Sequence, residues 1–82
     1  MVNRLCDADV VKEAVETATA IAANAPISIR QAKRSMHYGV NMSLADGMLF
    51  EIEAYNRMVP TDDRREGIAS FNEKRKPVFK GR

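Results

Sequence analysis

Thr61–Arg82, TDDRREGIASFNEKRKPVFKGR, is the stretch on which the reading of this chain turns. Thr61 or Asp62 can start a helix. Asp62 and Asp63 then sit at its positive end, and Lys74, Arg75 and Lys76 lie near its negative end. Ile68 and Phe71 are expected to face inward, and Pro77, which has no N–H, precludes simple continuation. Residues 74–82 carry five basic groups and no acid, whereas residues 1–73 carry eight basic and eleven acidic groups. The net charge of +2 therefore hides a mildly acidic body with a basic end. Such an end can meet a phosphate, or it can lie as a solvated, frayed terminus.

Three further helices are expected ahead of this one, giving an all-α chain of four short helices near residues 8–24, 26–38, 43–59 and 62–75, with a basic tail at 74–82. Asp7 or Asp9 can cap the first, where Val11, Ala14, Val15, Ala18, Ile21, Ala22 and Ala25 recur at helical spacing. Pro26 suits the first turn of the second, because its missing N–H has no intrahelical partner there. Ile29, Ala32, Lys33 and Met36 share one side of that helix, and Arg30, Arg34 and His37 form a solvated face. Gly39 can close it in a left-handed conformation. Ser43 caps the third helix, whose buried stripe is expected to be Leu44, Met48, Leu49, Ile52 and Tyr55. Pro60 stops or kinks it, and Gly47 marks either close packing or a tolerated defect costing about 1 kcal/mol relative to alanine. No strand pattern, repeat or low-complexity linker is present.

Eighty-two residues make one small domain. With 45% apolar and 29% charged residues the chain suits a folded protein, but five aromatics and no Trp leave its core to Ala, Val, Ile, Leu and Met. A core this small often borrows stability from a partner surface. One cysteine, Cys6, excludes an intramolecular disulfide and a Cys-rich zinc site. No apolar run approaches the roughly 20 residues of a membrane span, and no basic-then-apolar leader opens the chain. These features place the protein in the cytoplasm, or in an organelle matrix if a leader was removed.

No catalytic set is recognisable. His37 is the only histidine, and Cys6 lies in another segment. Glu51 and Glu53 are two apart, so they point to different sides of a helix. Asp62 and Asp63 read as first-turn dipole residues. There is no GxGxxG or Walker loop. The basic tail has one nearby aromatic, Phe79, and no companion helix rich in Lys or Arg, so no nucleic-acid partner is expected.

TDDRREGIASFNEKRKPVF resembles the C-terminal end of the enoyl-CoA hydratase/isomerase (crotonase) superfamily. Three more blocks agree in order and spacing. Val2-Asn3-Arg4 resembles the family's LVNRV turn. Ile21-Ala22-Ala23-Asn24-Ala25-Pro26 resembles its IA-x-x-AP junction, with Lys33 at the lysine that follows. Ser43 to Glu51 resembles its L-x-x-GL-x-x-E helix. The resemblance spans essentially all 82 residues.

The resemblance implies a helical region that covers the active site and helps form the trimer. It implies that the upstream ββα spiral core is absent here, since Met1 sits where the family reads straight on from a core helix. That core would provide the oxyanion-binding N–H groups and the catalytic glutamates, so the chain alone is expected not to be a competent hydratase. Phe71 falls at the aromatic of AF-x-EKR, which lines the acyl-CoA pocket, or it is simply core. Lys74 falls at the lysine that meets CoA phosphates, or it partners the helix dipole. Tyr55 falls where some members place another pocket aromatic, or it is packing. No cofactor is implied beyond coenzyme A as the thioester of the parent enzyme's substrate. The expected partners are further copies of the chain, through apolar helix faces, and acyl-CoA in the assembled enzyme. A stand-alone helical self-association or interaction module is the alternative.

Overall fold

The computed structural model describes residues 1–82. Its elements are α1 (Val10–Ala22), α2 (Pro26–Gly39), α3 (Leu44–Asn56) and α4 (Asp62–Asn72), with no strand. Three of the four starts follow from a side chain that satisfies orphan amides. Asp9 Oδ1 accepts the Val11 and Lys12 N–H groups at 3.0 and 3.2 Å. Pro26 occupies the first turn of α2 and needs no cap. Ser43 Oγ accepts the Asp46 N–H at 3.1 Å, and Thr61 Oγ1 accepts that of Arg64 at 3.2 Å.

The ends depart further from expectation. The Asn24 side chain donates to the Ala20 and Ile21 carbonyls at 3.1 Å, closing α1 at Ala22. Gly39 is not left-handed; α2 runs out through Val40 in a right-handed turn, and Asn41 and Met42 donate back to Tyr38 and Gly39. Helix α3 stops at Asn56, four residues before Pro60, which lies in the turn that follows. Only α4 ends in a left-handed residue, and it is Lys74, at φ 53°. The Lys74 N–H donates to Phe71 at 3.2 Å and the Arg75 N–H to Ser70 at 3.0 Å, the paired bonds of a Schellman turn.

These helices enclose little. Three of 82 residues are buried: Ala54, Asp63 and Ser70. The expected buried stripe of α3 is exposed at Leu44, Met48, Leu49, Ile52 and Tyr55, as are Val11, Val15 and Ile21 of α1. Ile68 and Phe71 do not face inward either; Phe71 is 83% exposed. The molecule is a slab of 42 × 39 × 18 Å with a radius of gyration of 15.9 Å. A compact domain of this length has about 12 Å. Its accessible surface is 7093 Å², against about 4,900 Å² for a folded monomer of its mass.

The one extensive helix–helix contact is between α2 and α3. Ala54 is buried there, Tyr38 meets Phe50 with ring centroids 5.7 Å apart, and the Arg34 guanidinium lies 5.4 Å over the Phe50 ring. Arg34 is exposed, as Arg30 and His37 are, and its guanidinium reaches the helix contact from that solvated face. Gly47 comes no nearer to α2 than ordinary contact: a Cβ there would stand 4.0 Å from the Gly39 carbonyl. Its glycine is a tolerated defect on this side of α3. Because caps rather than a core define the helix starts, Ser43→Ala is expected to lower stability by about 1 kcal/mol in urea unfolding.

Candidate functional site

Two surfaces carry the residues singled out in the sequence. The first is an open groove of about 920 Å³ between α2 and α3. Met36, Met42, Met48 and Met58 line it, four of the chain's five methionines, together with Leu44 and Tyr55. Methionine is flexible and polarisable, so such a surface adapts to what lies on it. One polar atom at this helix contact, Gln31 Oε1, is buried without a hydrogen-bond partner. An unpartnered buried acceptor of this kind costs about 1–3 kcal/mol. Glu51 lines the groove, whereas Glu53 lines a separate small hollow with Arg34 and Arg57. The two glutamates do not form a pair.

The second surface is the end of α4 with the segment that follows. Phe71 stands exposed on the last turn, and Lys74 occupies the left-handed position after it. The structure joins Phe71 and Lys74 in one turn and leaves Tyr55 apart, in the α2–α3 groove.

The basic tail is not frayed. Asp63 is 3% exposed; its Oδ1 accepts the Lys80 N–H at 2.7 Å and its Oδ2 the Gly81 N–H at 2.8 Å. The Asp63 N–H in turn donates to the Arg82 carbonyl at 2.9 Å. One turn further along α4, Glu66 holds the Arg75 guanidinium through both its oxygens and accepts the Val78 N–H at 2.8 Å. Gly81 meets this geometry at φ +76°, a conformation that suits glycine. A Cβ on Gly67 would stand 3.8 Å from the Phe79 ring, and one on Gly81 3.8 Å from Pro26 at the start of α2, so the tail passes close to both helices. Asp63 therefore does more than complement the helix dipole: it is the buried anchor of the tail. The sequence offers one trace of this, two acids at i and i+3 on a helix followed by a basic segment that must turn at Pro77.

No group of three or more His, Cys, Asp or Glu side chains gathers to hold a metal, and no helix is long and apolar enough to cross a membrane. His37 makes an edge contact with Tyr38 at 5.1 Å.

The family model for enoyl-CoA hydratase/isomerase matches residues 1–82. The chain belongs to the enoyl-CoA hydratase/isomerase family. It is 48% identical over 73 residues to the enoyl-CoA hydratase/isomerase-type protein YngF of Bacillus subtilis, covering 89% of this chain and 28% of that protein. It is 37% identical over 81 residues to the mitochondrial enoyl-CoA hydratase of Pongo abelii, covering 98% and 28%. The crystal structure of enoyl-CoA hydratase from Bacillus anthracis superposes with a TM-score of 0.84 at 41% identity, over 87% of this chain and 28% of that one. The chain thus spans under a third of these enoyl-CoA hydratase relatives.

The Glu66 carboxyl is held at about 2, below its ordinary 4.5, first by the Arg75 side chain and next by the Val78 N–H. The same contacts hold the Arg75 guanidinium more firmly protonated. A carboxylate whose folded pKa is depressed stabilises above its unfolded value and loses that contribution as pH falls through the folded one. Amide exchange at Val78, corrected for its intrinsic rate, is therefore expected to stay slow above pH 4.5 and to accelerate towards pH 2. Glu66→Gln should abolish this pH dependence.

Proposed function

We propose that these 82 residues are the helical segment that covers the acyl-CoA pocket and joins subunits in an enoyl-CoA hydratase/isomerase-type enzyme, and that alone they catalyse nothing. The observation that carries the proposal is the open slab: about 2,200 Å² more surface than a monomer of this mass exposes, much of it apolar. Exposed apolar faces of that extent mark contact surfaces. The faces assigned to contacts are Val11, Val15 and Ile21 of α1 and the Leu44, Met48, Leu49 and Ile52 side of α3. They meet further copies of the chain and the rest of a family-length subunit.

Hydration of a 2-enoyl thioester requires donors preorganised at the carbonyl oxygen and a carboxylate within hydrogen-bond reach of the substrate. The two glutamates of α3 line different hollows and do not meet that need. In the assembled enzyme, Phe71 lines the acyl-CoA pocket and Lys74 meets the CoA phosphates, for which an ammonium is a suitable point charge. Tyr55 contributes from the α2–α3 groove. Coenzyme A enters as part of the substrate, and we assign no separate cofactor. The cytoplasm is the assigned compartment; the Pongo abelii relative is mitochondrial, so an organelle matrix suits the same chemistry.

The 82-residue chain is expected to hydrate crotonyl-CoA no faster than buffer, followed by loss of enone absorbance. Turnover that co-purifies with the chain and disappears in Glu51→Gln or Glu53→Gln would overturn the proposal. In a family-length subunit carrying these residues, Lys74→Ala should raise KM for a CoA thioester about fivefold. An unchanged KM would remove Lys74 from the site.

A further inference from the structure

We infer that Asp63 and Glu66 are positioning residues, which clamp the segment after α4 so that its lysines, Lys74 first among them, are aimed at an anionic ligand. The inference rests on the assignment of Lys74 to the CoA phosphates made above and adds the groups that hold it in place.

The clamp is built from carboxylate oxygens and backbone amides. Asp63 accepts the N–H groups of Lys80 and Gly81, and Glu66 accepts that of Val78, so three amides beyond Pro77 are held by two acids one turn apart. The arginines of the segment are spent on the same helix. Arg75 is paired with Glu66 and Glu73, and Arg82 approaches Asp62 at 3.9 Å. The lysines are not: Lys74, Lys76 and Lys80 are exposed, and none makes an ion pair. Acids satisfied by amides and by arginine leave these ammonium groups free for an external anion.

Lys74 also pays a conformational cost. It sits at φ 53°, where glycine is the usual residue and other side chains cost about 1 kcal/mol or more. The turn that imposes this φ is closed by the Arg75 N–H to Ser70, and the Arg75 side chain is pinned by Glu66. Releasing Glu66 leaves the Arg75 side chain paired with Glu73 alone and frees the Val78 N–H, which loosens the segment that runs on from Lys74.

The test compares two substrates in a family-length subunit carrying these 82 residues: an enoyl-CoA, and the same acyl group on pantetheine, which lacks the CoA phosphates. Glu66→Gln should raise KM for the CoA thioester by about threefold to tenfold and leave KM for the pantetheine thioester unchanged. Asp63→Asn, which keeps one acceptor oxygen, should do the same to a smaller degree. Combining Glu66→Gln with Lys74→Ala should cost no more than Lys74→Ala alone, because both act on one contact. If Lys74→Ala discriminates between the substrates and neither acid variant does, the positioning role is overturned while the Lys74 assignment stands. If Lys74→Ala does not discriminate, that assignment fails. Equal rises in KM for both substrates would show the acids to be merely structural and would overturn the inference. Should Glu66→Gln not fold, Gly81→Ala loosens the clamp from its other end without altering charge, and the same outcomes apply.

Discussion

One apolar residue in 82, Ala54, is buried, and it still keeps 5% of its exposure; every other feature of the molecule answers to that shortage. Hydrophobic burial is the dominant favourable term in folding, and here it is largely undelivered within the chain. The slab shape, the open α2–α3 groove and the exposed faces of α1 and α3 express one condition: amphipathic helices whose apolar faces this chain does not itself cover. The matched members of its family are more than three times longer.

Polar contacts do in this chain what a core does elsewhere. Asp9, Ser43 and Thr61 cap three of the helices with a side-chain acceptor, and Pro26 removes one orphan N–H from the start of the fourth. Arg34 uses its guanidinium over Phe50 to seat α2 on α3. Asp63 and Glu66 bind the terminal segment back onto α4, and Gly81 carries it to the start of α2. Carboxylates bonded to amide donors and arginine are stronger acceptors than neutral groups, which suits a chain with little else to fix its ends.

The helices and their starts were legible in sequence because capping chemistry is local. Ser43 and Thr61 needed no knowledge of the rest of the fold. The four-helix, strand-free class and the family followed from helical spacing and from four ordered blocks. What could not be read was which apolar faces are covered. A stripe such as Leu44, Met48, Leu49 and Ile52 states that a face is apolar, not that this chain buries it. Helix ends failed for a related reason. Gly39 was the obvious left-handed residue, yet the left-handed turn is at Lys74, closed by the Lys74 and Arg75 N–H groups on the Phe71 and Ser70 carbonyls. Asp63 was hidden because its partners are backbone amides, which every residue but proline possesses.

The uncovered surface is the chain's central property, and sedimentation velocity across a concentration series tests it directly. The expected result is reversible association, with a sedimentation coefficient that rises with concentration and falls when a charge is placed on α3, as in Leu49→Glu. A compact monomer at every concentration, with a radius of gyration near the roughly 12 Å of a self-contained domain, would contradict it.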